Sequence, residues 1–88
     1  GLDLVARQHF LDLMRGLAQR GITLVLVTHH IEEIIPEIDR VLLLRNGTVH
    51  ADGDRATTLT DAQLSQTFGG PIQVRHEGGF YSAMPAHA

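Results

Sequence analysis

Residues 23–30 read TLVLVTHH, and this stretch decides how the rest of the sequence is interpreted. The apolar and β-branched run over 22–27 has the length of a buried strand. Its alternate side chains do not switch to polar on one face, which predicts a strand covered on both faces, as in a parallel sheet. Ligands of open α/β sheets bind just beyond the carboxyl ends of the strands. The sequence therefore predicts a ligand-facing position at Thr28, His29 and His30.

The composition excludes several classes of function. With 88 residues, 43% of them hydrophobic, the chain can form a core but cannot cover a parallel sheet on both sides. The net charge is −3 and no basic run is present, so nothing favours nucleic-acid binding. The absence of cysteine excludes disulfides and thiolate metal sites, and it makes the cytosol the default compartment. No stretch has the length needed to span a bilayer.

Lysine is also absent, because all 7 basic residues are arginine. A P-loop needs a lysine to reach the terminal phosphates of a nucleotide, so these residues contain no P-loop. The first residue is Gly1 rather than methionine, from which we expect the chain to be part of a longer protein. The strands support the same expectation, because two strands covered on both faces need more cover than one long helix supplies.

Local signals predict helices and strands along the chain. Asp3 is a candidate N-cap for a helix over residues 4–20, which Gly21 ends. The core-facing stripe of this helix is expected at Ala6, Phe10, Leu13, Met14 and Leu17. A short helix is expected from Ile31, kinked or ended near Pro36. The remaining predictions are a strand over 40–45 that could lie parallel to 22–27, a hairpin turn at 46–47, a return strand over 48–51, a loop over 52–55, a helix from a capping box at 60–63 to Phe68, a hairpin of 72–76 with 80–82, and a frayed tail over 84–88.

The candidate functional residues lie around the end of the first strand. In an extended chain His29 and His30 would point to opposite sides, which does not favour a metal site built on both. Two interpretations remain open for this pair: a hydrogen-bonded loop histidine, or a histidine that meets a ligand at the strand end. Glu32 and Glu33 are expected as a solvated helix start that favours the helix dipole. Other polar residues receive ordinary roles: Asp3 as an N-cap, Arg7 as a surface charge near it, and Ser65 and Ser82 without a nucleophile setting.

A set of short motifs resembles a known family. In chain order these motifs are Gly1-Leu2-Asp3, Arg7, Leu17-Ala18, Gly21, the stretch TLVLVTHH, Glu32-Glu33, Asp39-Arg40-Val41 and Arg45-Asn46-Gly47. Together they closely resemble the C-terminal third of an ATP-binding cassette (ABC) ATPase, and the resemblance covers residues 1–70. The order and spacing carry the resemblance, since each motif alone is a weak signal.

The resemblance implies an α/β fold, namely the C-terminal portion of a P-loop NTPase (RecA-like) ABC ATPase domain with parallel strands, a β-hairpin and a short helix. It implies that residues 1–50 belong to the catalytic core, and that residues 51–88 form a C-terminal helix, a small hairpin and a tail. Gly1-Leu2-Asp3 would belong to the D-loop, in which Asp3 contacts the opposing subunit. His29 would be the switch histidine of the H-loop, contacting the γ-phosphate of ATP and helping to hold the attacking water.

The sequence departs from the family pattern at two positions and lacks several family motifs. His30 stands where many members have Asp, and Pro36 is unusual in the helix that follows. The Walker A loop, the Q-loop, the signature motif and the Walker B carboxylates are expected before Gly1. We therefore expect that ATP and Mg²⁺ are bound mainly by preceding residues, and that the 88 residues alone have no ATPase activity.

The function that the resemblance implies is ATP binding and hydrolysis that drives solute transport. The implied partners are a second ABC ATPase subunit in a head-to-tail dimer and a membrane permease, and no nucleic acid. The implied location is cytoplasmic, peripheral at the inner face of the membrane. Leu59-Thr60 and Phe68-Gly69 resemble the C-terminal end of importer-type or related small cassette ATPases. The alternatives are a soluble ABC ATPase without a permease and a small, non-enzymatic interaction module.

Overall fold

A computed structural model describes residues 3–86, and its first element is a helix, α1, over Leu4–Gln19. The carboxylate of Asp3 accepts a hydrogen bond of 2.7 Å from the backbone N–H of Ala6, as an N-cap does. Gly21 has a φ of +84° just after the helix, in the region that favours glycine. The helix predicted over 4–20 is therefore confirmed. Its buried stripe differs from the prediction, because Leu11 is buried while Leu13 is 62% exposed.

Residues 22–28 form no strand within the part of the chain that the structure describes. Leu24 and Leu26 pack toward α1, whereas Val25 is 88% exposed and Val27 is 91% exposed. The predicted strand over 22–27 and its parallel pairing with 40–45 were therefore wrong for these residues. A strand needs a neighbour to take its backbone hydrogen bonds. Residues 40–45 pair with residues 48–54 instead of with residues 22–27.

The middle of the chain forms a hairpin of β1, Arg40–Arg45, with β2, Thr48–Asp54. Asn46 and Gly47 have φ values of +53° and +75°, which confirms the predicted hairpin turn and is typical of a type I′ turn. The register shifts between Leu43 and Leu44, so the partner strand carries a bulge there. β2 is longer than predicted, because its pairing with β1 continues to Asp54.

The loop predicted over 52–55 is thus partly strand, and it leads into a one-turn helix, α2, over Arg55–Thr58. The next helix, α3, spans Asp61–Phe68 and is capped by the Thr60 hydroxyl, which accepts from the Gln63 backbone N–H at 3.2 Å. Gly69 ends α3 in the left-handed conformation. Both ends of the predicted helix are confirmed.

The last two strands, β3 over Ile72–Glu77 and β4 over Phe80–Pro85, form a second antiparallel hairpin. β4 is longer than predicted and includes Met84, so that part of the expected frayed tail is ordered strand. Ala86 continues this order by donating its backbone N–H to the Pro71 carbonyl at 2.9 Å. Residues 87–88 lie outside the described residues.

The buried side chains form two clusters, and residues 31–38 lie between them. The first cluster packs the 3₁₀ helix over Ile31–Glu33 against the two hairpins and α3, with Ile31, Ile34, Val41, Leu43, Leu59, Leu64 and Tyr81. The second cluster packs the same segment against α1, with Leu11, Met14 and Ile35. The predicted helix after His30 is only this 3₁₀ turn, and Ile34 and Ile35 beyond it are buried in different clusters. The segment after the histidines is therefore anchored on both sides.

The tip of the second hairpin is anchored against the same segment. The Arg55 guanidinium donates to the Gly79 carbonyl at 2.8 Å and lies over the Tyr81 ring, 5.5 Å from its centroid. A Cβ atom at Gly79 would lie 2.9 Å from Cγ of Pro36, which is closer than real Cβ atoms approach. Gly79 also has a φ of +81°. The turn of this hairpin thus fits directly against Pro36.

Candidate functional site

The histidine turn, residues 28–30, lies between the extended segment and the 3₁₀ helix. His29 and His30 are both exposed, and the chain bends at His29. Because of this bend the ring centroids of the two histidines lie 4.3 Å apart, with the planes tilted by 44°. The backbone is therefore not extended here, and the side chains do not point to opposite sides as they would in an extended chain. The turn instead presents two imidazoles together toward solvent.

The Thr28 side chain holds the histidine turn through two hydrogen bonds. Its hydroxyl accepts from the backbone N–H of His30 at 3.0 Å, which closes the backbone around His29. The same hydroxyl donates to the Glu33 carboxylate at 2.5 Å, a short bond of the kind expected when the acceptor is charged. Thr28 therefore links the backbone of the turn to a side chain on the following 3₁₀ helix.

Glu33 lies in the interior of this region, contrary to the expected solvated helix start. Its side chain is 14% exposed, and its second carboxylate oxygen lies 3.5 Å from Nε of Arg7, whose side chain is 29% exposed. A carboxylate removed from water needs such partners, because burial without them is costly. Arg7 was expected as a surface charge near Asp3; it instead reaches across from α1 to Glu33.

Asp3 lies at the start of the helix that carries Arg7. The hydrogen bonds that it forms within the described residues go to the first turn of α1: its carboxylate binds the Ala6 N–H, and its carbonyl accepts the Arg7 N–H at 2.9 Å. Asp3 and the histidine turn are thus connected through α1, Arg7 and Glu33 rather than by direct contact. The sequence carried no periodic signal for this connection, because Arg7 and Glu33 are far apart in the chain.

A shallow pocket of about 200 Å³ lies beside the histidine turn, lined by His29, His30, Ile31, Glu32, Phe68, Ile72, Ala83, Met84 and Pro85. Typical small-molecule sites measure about 300–1,000 Å³. The pocket beside the histidines is therefore smaller than a typical small-molecule site. Residues 3–86 also bring together no group of three acidic, histidine or cysteine side chains able to hold a metal ion.

A second polar contact fixes the segment that follows the turn. The Glu37 carboxylate accepts from the Gln19 amide at 2.9 Å and from the Arg15 guanidinium at 3.0 Å, both on α1. These hydrogen bonds, that of Gln19 first, hold the pKa of Glu37 below its ordinary value of 4.5. The exposed pair of Arg40 and Asp52 similarly lowers the pKa of Asp52. None of these groups touches the histidines.

The sequence is similar to ATP-binding proteins over most of its length. It is 42% identical over 76 residues to the uncharacterized ABC transporter ATP-binding protein YlmA of Bacillus subtilis, covering 84% of this chain and 29% of that protein. It is 35% identical to the vitamin B12 import ATP-binding protein BtuD of Photobacterium profundum, covering 88% of this chain and 31% of that protein. It is 45% identical to the cobalt import ATP-binding protein CbiO of Rhodobacter capsulatus, covering 75% of this chain and 24% of that protein. No protein-family profile matches the chain.

The fold is also similar to that of an ABC transporter. A solved ABC transporter structure in an inward-facing conformation superposes on 99% of this chain and 36% of its own, with a TM-score of 0.80 and 26% sequence identity. The fold and the sequence relatives together define part of an ATP-binding domain of the P-loop NTPase class. The chain belongs to the ABC ATPases and corresponds to the C-terminal part of their nucleotide-binding domain. It spans less than a third of the length of YlmA or BtuD.

Proposed function

We propose that the chain works within an ABC ATPase subunit that binds and hydrolyses ATP to drive solute import, and that it supplies the switch histidine and the D-loop aspartate. The observation that carries this proposal is the exposed imidazole of His29 on a hydrogen-bonded bend, directly after residues 22–28. The family resemblance assigns the γ-phosphate contact to this position. The names of the relatives BtuD and CbiO, which are import ATP-binding proteins, support the transport role.

His29 can contribute one kind of chemistry at this position. An imidazole N–H donates a hydrogen bond to a phosphate oxygen, and charge stabilisation of that kind is the main contribution of protein groups to phosphoryl transfer. The bend holds the ring outward without burying it, so a nucleotide phosphate can reach it. Mg²⁺ prefers oxygen ligands, and in this proposal its ligands and most contacts to ATP come from other residues of the subunit.

The proposed partners follow from the family. Asp3 would contact a second ABC ATPase subunit in a head-to-tail dimer, and a membrane permease would bind the assembled pair. The subunit would then be cytoplasmic, at the inner face of the membrane. Within the described residues no helix has the length and apolar character to cross a membrane.

The test measures ATP hydrolysis by the complete subunit with His29→Ala. Loss of one donor to the developing charge lowers kcat by about 10²–10³-fold in comparable sites. His9→Ala is the matched control, because His9 is an exposed histidine on α1 that contacts none of these groups. ATP binding should persist in both variants. Wild-type hydrolysis by His29→Ala would contradict the proposal, and so would turnover by the isolated 88 residues.

A further inference from the structure

We propose that Glu33 is a positioning residue for His29 in ATP hydrolysis, and that Arg7 fixes Glu33 in place. This inference rests on the proposed role of His29. Glu33 does not reach the nucleotide in this role. It acts through the Thr28 hydroxyl, which in turn fixes the backbone on both sides of His29.

The first step of the argument is the hydrogen bonding of Thr28. A threonine hydroxyl has one proton to donate. That proton is directed at the Glu33 carboxylate, so the oxygen lone pairs are left to accept the His30 N–H. Without the carboxylate the hydroxyl is free to rotate, and its bond to the His30 N–H is no longer enforced. Glu33 therefore sets the orientation on which the bend at His29 depends.

The second step concerns the burial of Glu33. Because its side chain is only 14% exposed, the carboxylate has little contact with water, and each of its two oxygens has one protein partner. Nε of Arg7 is itself buried, and among the described residues it forms no hydrogen bond, leaving Glu33 as its charge partner. Each of these groups thus needs the other, which restricts Glu33 to the geometry that engages Thr28.

The third step is the origin of Arg7 on the first turns of α1. Asp3 caps that helix, and its carbonyl accepts the Arg7 N–H. The contact between Arg7 and Glu33 therefore joins the two positions that the family resemblance marks as functional, Asp3 and His29. A displacement of the start of α1 moves the partner of Glu33, and through it the histidine turn.

The experiment compares Glu33→Ala, Glu33→Gln and Glu77→Ala in the complete subunit, each with and without His29→Ala. We expect Glu33→Ala to lower kcat about tenfold while the KM for ATP changes less than about twofold, as for an interaction used in the transition state. Glu33→Gln keeps an oxygen acceptor for Thr28 and should retain at least about a third of the wild-type kcat. Glu77→Ala removes an exposed carboxylate on β3 and should have no effect.

The decisive measurement is the rate of ATP hydrolysis by the double variant, which carries both Glu33→Ala and His29→Ala. If Glu33 acts through His29, Glu33→Ala should change the residual rate of the His29→Ala protein less than about twofold. An equal loss in both backgrounds would show a general structural role and overturn the inference. A wild-type kcat for Glu33→Ala, together with a lowered kcat for His29→Ala, would overturn this inference but leave the proposed function intact. A wild-type kcat for His29→Ala would overturn the proposed function and this inference with it. If Glu33→Ala does not fold, Thr28→Val takes its place in the same comparison, because it removes the same hydrogen bond with little change in shape.

Discussion

The Asp3 carboxylate has a structural role that can be separated from its proposed functional one. Its hydrogen bond of 2.7 Å to the Ala6 N–H caps α1. Replacing an N-cap aspartate by alanine costs about 1 kcal/mol, whereas asparagine caps nearly as well. Because about 1.4 kcal/mol corresponds to tenfold in an equilibrium, Asp3→Ala should open the first turn of α1 about fivefold more often, and Asp3→Asn should change it little.

Amide hydrogen exchange of the first turn of α1 in the complete subunit measures this opening. The Ala6 amide should exchange about fivefold faster in Asp3→Ala, at the rate that the cap energy predicts. Asp12→Ala, an exposed carboxylate further along α1, is the control and should leave this amide unchanged. The reasoning is refuted if Asp3→Ala leaves the Ala6 exchange rate unaltered, or if Asp3→Asn accelerates it as much as alanine does.

The same two variants test the proposed contact of Asp3 with an opposing subunit. Asparagine preserves the cap but removes the negative charge. If the charge acts between subunits, Asp3→Asn should lower ATP hydrolysis while the exchange of the Ala6 amide stays normal. Equal hydrolysis by the wild type and Asp3→Asn would restrict Asp3 to its helix cap.

Two further predictions concern stability. Leu64 is 0% exposed, so Leu64→Ala should cost about 2–5 kcal/mol in urea denaturation, whereas Leu13→Ala at a 62% exposed position should stay within about 0.5 kcal/mol; similar losses would contradict the core assignment. The lowered pKa of Glu37 contributes stability that is complete above its ordinary value of 4.5 and is lost as pH falls through its folded value. Glu37→Gln should therefore flatten the decline in melting temperature below pH 4.5, and an unchanged pH profile would count against this contact.

The elements that were predicted correctly have their determinants close together in sequence. Asp3 and Gly21 lie at the two ends of α1, Asn46-Gly47 forms the turn of the first hairpin, and Thr60 caps α3. Each acts through contacts within a few residues. The extent of β2 was not predictable in this way. It depends on pairing with β1 up to Asp54, which no local signal specifies. The single turn of α2 also escaped prediction, because its cap at Asp54 lies inside a strand.

The residues of the candidate site also differ in whether local sequence or long-range packing determines their contacts. His29 and Asp3 were proposed from the sequence alone, through a strand-end position, a cap and a family resemblance, and their roles remain predictions. The contact of Arg7 with Glu33 could not be predicted, because it joins residues on two elements that only the packed core brings together. The missing strand over 22–27 has a related cause. The sequence predicted two covered faces, and within residues 3–86 only the face of Leu24 and Leu26 is packed.

The close fit of Gly79 against Pro36 restricts the order in which this protein can evolve. Position 79 tolerates few residues at its positive φ, with asparagine and aspartate the most acceptable after glycine. Even these would bring a Cβ atom to 2.9 Å from the proline ring. A replacement of Pro36 by a smaller residue must therefore come first, and only then can Gly79 change. The two positions form an epistatic pair in which one mutational path is open and the reverse path is closed.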